Sequence, residues 1–165
     1  MKKILAFISF TVLLLSFSLT AFASTSLPEK SLPENSEITY LSNGSYIITT
    51  FSVIPTDNSV QTAATTYTKQ GTKTINCYSS DNELEWEYTL TGTFTVNNGI
   101  SATCTNATHS KTIYSSKWSF SDENTYAENN VAHGKGVFKR KVLFIVVEKT
   151  NVDISITCDV YGNLS

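Results

Sequence analysis

The residues of this chain whose types could do chemistry are two histidines, three cysteines and a crowded acidic stretch. An activated serine would call for a Gly-x-Ser-x-Gly elbow, or for a nucleophile patterned with a histidine, and the sequence has neither. His109 and His133 stand beside turn-forming polar residues, the setting of a solvated imidazole rather than of a general base. There is no His-x-x-x-His or Cys-x-x-Cys spacing to hold zinc. Gly134-Lys135-Gly136 lacks the rest of a phosphate loop. Asp81, Glu83, Glu85 and Glu87 share one parity, so on a strand their carboxylates would line one face. Such a face can collect a hard cation, or it can stay solvated and discourage edge-to-edge aggregation. The second reading is preferred. The expectation is a non-enzymatic protein with no catalytic residue, no cofactor and no metal.

Two further sets of residues could bind rather than react. Tyr114, Trp118 and Phe120 share a parity, and a flat aromatic row on an exposed sheet stacks on sugar rings or seats a protein partner. They serve equally as core, which is the preferred reading because that strand has little else large to bury. Lys139-Arg140-Lys141 precedes the longest apolar run outside the N-terminus, Val142 to Val147. The preferred reading is a central strand buried on both faces with a charged edge, so membrane contact is not expected. The alternative is a basic collar on a membrane-dipping loop.

Three cysteines in an exported chain allow one bridge and a free thiol, an intermolecular bridge, or no bridge at all. Cys104 is in phase with Ala102 and Ile100, and Cys158 with Val152, Ile154, Ile156 and Val160, so both should point inward. Cys104–Cys158 is the expected disulfide, closing a loop long enough to contribute about 4 kcal/mol in the chain-entropy picture. Cys77, in phase with Ile75, keeps Cys77–Cys104 open as the weaker pairing.

The elements that must position these residues are strands. From Leu84 the chain alternates strictly, with Trp86, Tyr88, Leu90, Gly92, Phe94 and Val96 on one side and mostly Thr and Glu on the other. Asn97-Asn98-Gly99 supplies a turn, and the return strand places Ile100, Ala102 and Cys104 inward. Thr72–Tyr78, Lys111–Phe120, Thr125–Phe138 and Val152–Val160 read as further strands, with Ser121-Asp122-Glu123-Asn124 as a turn. Gly134 and Gly136 mark a bulge or a close backbone approach. No useful window has helical periodicity. The fold class is all-β, an antiparallel β-sandwich with immunoglobulin-like topology left open by the order Cys104, Trp118, Cys158.

Residues 1–23 have the form of a signal peptide: Lys2 and Lys3, an apolar run from Ile4, then Ala21-Phe22-Ala23, with cleavage between Ala23 and Ser24. Residues 24–36, with Leu27-Pro28 and Leu32-Pro33, read as a disordered leader. Residues 37–54 form a small hairpin around Asn43-Gly44, either packed on the main domain or mobile, and residues 55–66 a linker. Residues 67–165 form the sandwich domain. Cleavage would remove two lysines and take the formal net charge from −2 to −4, too mild to attract nucleic acid.

Several of these segments together resemble a loose set of small secreted proteins of Gram-positive bacteria with no assigned function. They are Leu90-Thr91-Gly92-Thr93-Phe94-Thr95, Ser101-Ala102-Thr103-Cys104-Thr105, Trp118, Ile156-Thr157-Cys158 and Gly162-Asn163-Leu164-Ser165, with the Asn43-Gly44-Ser45-Tyr46 hairpin ahead of them. The resemblance implies export, a β-rich domain and a Cys104–Cys158 pair, and Cys77 departs from it. The functional expectation is an extracellular β-domain that binds a cell-surface glycan or protein. The alternative is a bacteriocin-like or membrane-active antagonist.

Overall fold

The computed structural model describes residues 35–55 and 66–165. The expected cleavage site at Ala23 and Ser24, nearly all of the leader and the linker residues 56–65 lie outside the described residues. Eight strands account for most of the rest: β1 (Ser36–Tyr40), β2 (Tyr46–Ile54), β3 (Thr66–Tyr78), β4 (Leu84–Asn97), β5 (Ser101–Ile113), β6 (Trp118–Glu128), β7 (Val131–Val142) and β8 (Ile145–Thr157). They form two antiparallel sheets, β1-β2-β3-β4-β5 and β6-β7-β8, packed as a β-sandwich. Every strand neighbours its successor within a sheet, so the topology is a pair of meanders. The immunoglobulin alternative, which needs Greek-key crossovers, is overturned.

The inner layer follows the alternation of β4, whose Trp86, Tyr88, Leu90, Phe94 and Val96 are fully buried. They face β7, where buried Ala132 and Phe138 flank Gly134 and Gly136. Trp86 stacks on Phe138 with ring centroids 3.8 Å apart, and Trp118 meets Trp86 edge-on at 5.9 Å. Gly134 and Gly136 are both close approaches, and Gly136 also faces a bulge, since Asp122 and Glu123 of β6 stand opposite it between Ser121↔Val137 and Asn124↔Lys135. A Cβ on Gly134 would lie 2.7 Å from the Tyr88 hydroxyl, and one on Gly136 would enter the Phe120 ring. The small residues of β7 thus make room for the large ones of β4 and β6.

The hairpin at residues 37–54 takes the packed alternative. β2 pairs with β3 over nine residues, from Tyr46↔Tyr78 to Ile54↔Gln70, and β1 forms the sheet edge. Ser121–Asn124 is not a turn but an irregularity within β6, with Asp122 at φ 58°. The chain reverses instead at Asn129-Asn130, held by Cys104 N–H donating to Asn129 O and Cys158 N–H to Asn130 O. Ile100 is not inward: it belongs to the three-residue loop closed by Asn97↔Ser101 and is 71% exposed.

Candidate functional site

The run Val142 to Val147 is not a buried central strand. β7 ends at Val142 and β8 begins at Ile145, and the two pair directly across a two-residue loop of Leu143 and Phe144. β6 begins opposite Arg140, so beyond that point the ribbon has no third strand among the described residues. All six side chains are exposed, Leu143 by 85% and Phe144 by 97%. Opposed residues of an antiparallel pair share a face, which places Val142 with Ile145 on one face and Lys141 with Val146 on the other. The ribbon therefore carries apolar side chains on both faces and at its tip, with Lys141 sharing the face of Val146.

Its base is tied to the sandwich. Arg140 Nη1 lies 3.7 Å from Glu148 Oε2, the same carboxylate that accepts a 2.9 Å hydrogen bond from the Asn43 side chain in the β1–β2 turn. Lys141 N–H donates to Lys117 O at 2.8 Å, which puts two exposed lysines side by side below the tip. Neither ammonium has an ion-pair partner among the described residues. At this end also lie Tyr40 in register with Tyr46, Ile113 opposite Trp86, and Tyr114. Nine of the twelve exposed large hydrophobic side chains among the described residues gather here. A surface sharing them evenly between its two ends would need no explanation; this one does.

The alternative of an aromatic row does not form, and the preferred core reading describes two of its three residues. Trp118 is buried and Phe120 packs against the core, whereas Tyr114 is exposed in the β5–β6 connection. Tyr114 and Ser115 both donate backbone N–H groups to Glu85 O just past the end of β5, before Trp118 opens β6 in the other sheet. The acidic face dissolves similarly. Glu85 sits at the irregularity where Cys77↔Trp86 gives way to Tyr78↔Leu84, and it is buried while Asp81 and Glu83 stay exposed. Among the described residues no group of three or more His, Cys, Asp or Glu side chains is placed to hold a metal ion.

The expected Cys104–Cys158 disulfide is likewise corrected: all three cysteines are buried and unpaired. The Cys104 thiol turns toward Asn106 O at 3.4 Å and the Cys158 thiol toward Asp159 O at 3.5 Å, each satisfied by its own neighbouring backbone. Burial, with the Glu85 and Glu148 charges adding to it, pushes the Cys77 thiol up to about 12. A thiol so far from ionising is a poor nucleophile. Native protein treated with a thiol-specific chromophore should react hardly at all, and three thiols should titrate once it is unfolded without reductant. A single thiol on unfolding would mean that a bridge exists after all.

Sequence reasoning missed one polar cluster. His109 is not a solvated residue beside a turn; the irregularity in β5 at Thr105, between Thr93↔Asn106 and Phe94↔Cys104, swaps the inward parity and carries it between the sheets. Its ring stacks on Tyr88 at 5.3 Å, its Nδ1 lies 2.7 Å from Thr125 Oγ1 and its Nε2 3.3 Å from Glu123 Oε2. Hydroxyl, imidazole and carboxylate in that order form a proton relay in some hydrolases. Here the Glu123 carboxylate is also bound by the Lys111 ammonium, which holds it below its usual range, and Thr125 is fixed in the β6–β7 ladder opposite Gly134. The cluster ties β5 to β6 across the sandwich. His133 lies elsewhere, stacked on Tyr126 at 4.7 Å. A sequence signal for the His109 arrangement would have required knowing the β5 irregularity in advance, and one for His133 the reversal at Asn129-Asn130 that sets it opposite Tyr126.

Among the described residues no helix is long and apolar enough to cross a membrane. No family model matches the chain, and no curated protein or solved structure matches it.

Proposed function

We propose that this protein is an exported, non-enzymatic β-sandwich that works by attaching to a surface through the hairpin end defined by Val142 to Val147. The observation that supports the reading is the exposure of six consecutive apolar residues on a ribbon that projects past β6. Covering a side chain the size of Leu or Phe contributes about 1.5–3 kcal/mol, so the tip alone can supply attachment of useful strength. The contrasting reading, a glycan platform of Tyr114, Trp118 and Phe120, keeps only Tyr114 on the surface. Export rests on the form of residues 1–23.

The test is retention of the labelled protein on intact bacterial cells. Leu143→Ser with Phe144→Ser should reduce retention at least about tenfold, since each 1.4 kcal/mol lost is a tenfold change, while circular dichroism stays that of the parent. Equal retention of the double variant would remove the hairpin end as the working surface. A Tyr114→Ala variant that alone lost retention would favour the glycan reading.

A further inference from the structure

Resting on that attachment reading, we infer that what receives the hairpin tip is a lipid bilayer, with Lys117 and Lys141 at the level of its headgroup phosphates. A protein groove covers one face of a docked ribbon and leaves the other wet, which selects alternation of apolar and polar residues. This ribbon is apolar at Val142 and Ile145 on one face, Val146 on the other and Leu143-Phe144 at the tip. Only a medium that surrounds the ribbon hides all of these at once. A strand that spans a bilayer needs about 9–11 residues, so three residues on each arm reach only the headgroup and upper acyl region, about 5–10 Å deep.

The backbone points the same way. Leu143 and Phe144 adopt φ of 48° and 70°, the left-handed region that a two-residue hairpin loop of this kind demands and that Asn-Gly fills without strain. Bulky apolar residues are disfavoured there. Neither side chain packs inside the protein, so the strain serves nothing in the fold and something outside it.

The charges place the headgroups. Lys117 and Lys141 stand directly below the tip, and Tyr40 and Tyr114 are exposed at the same end, residues suited to the polar-apolar boundary. Asp81 and Glu83 lie at this end too, but on the β3–β4 turn of the other sheet, and the Glu148 carboxylate at the ribbon's base is engaged by Arg140 and Asn43. With a screening length of about 8 Å at physiological salt, the nearer lysines decide the sign at the tip.

The experiment is co-sedimentation with vesicles of phosphatidylcholine alone or mixed with phosphatidylglycerol, all variants sharing one N-terminus so that any contribution of residues 4–22 cancels. The parent should bind both and prefer the mixed vesicles. Leu143→Ser with Phe144→Ser should lose about 100-fold on both. Lys117→Gln with Lys141→Gln should lose up to about 30-fold on mixed vesicles alone. Phe144→Trp should show an emission shift to the blue on either. Failure of the parent to bind any vesicle while its hairpin still mediates retention on cells would overturn the bilayer and leave the attachment reading standing. Unchanged preference for mixed vesicles in the lysine variant would overturn the headgroup contact.

Discussion

Replacing Leu143-Phe144 by Asn-Gly is expected to stabilise the protein by about 1–3 kcal/mol and to abolish its attachment in the same step. Both residues sit at positive φ, where a side chain branching into a bulky apolar group costs roughly 1–2 kcal/mol per residue over Gly. Neither buries area on folding, so removing them forfeits no core packing. The same substitution deletes the two most exposed apolar side chains of the hairpin end. Urea denaturation of parent and variant, read together with retention on cells, checks both halves. A variant that proves less stable would mean that the tip makes contacts inside the fold, and the case for an outward role would fall with it. The opposite signs matter: most substitutions that abolish binding also destabilise, and a gain in stability separates a working residue from a structural one.

How far the sequence could be read depended on whether one face of an element is wet. In β4 the even residues Trp86 to Val96 are dry and the odd ones are not, so alternation alone identified the inner layer. Gly134 and Gly136 were legible because a glycine in a strand interior marks a bulge or a close approach, and Gly136 stands at both. The run at residues 142–147 was illegible for the complementary reason: apolar residues at both parities describe a strand buried on two faces and a ribbon wet on two faces equally well. Asn-Gly would have announced the loop, and Leu-Phe hid it. Tyr114 was misplaced because parity was carried through Ser115–Lys117, where the chain leaves one sheet for the other. His109 was misread because a single extra residue at Thr105 inverts every assignment after it. Local patterns thus reported side-chain facing within a regular strand such as β4 and failed where a bulge, a loop or a change of sheet broke the alternation.

Trp86→Ala is expected to cost about 3–5 kcal/mol, a large share of the roughly 5–15 kcal/mol that holds a domain of this size folded. The indole is fully buried, stacked on Phe138 of the facing sheet and met edge-on by Trp118, so it joins three strands of two sheets. Its removal leaves two aromatic rings facing a void that neither glycine-lined β7 nor the edge of β6 can fill. Trp86→Phe keeps a ring against Phe138 and should cost no more than about 1–2 kcal/mol. Trp118 pairs in register with Arg140, so the cluster adjoins the base of the exposed hairpin without forming part of its surface. Since the tip residues pack on none of it, retention on cells per folded molecule should be unchanged in Trp86→Ala, and total retention should fall only with the folded fraction. Urea unfolding gives the first quantity and retention at graded urea the second. Loss of retention from a variant still fully folded would show that the hairpin must be held rigid from below to reach its target.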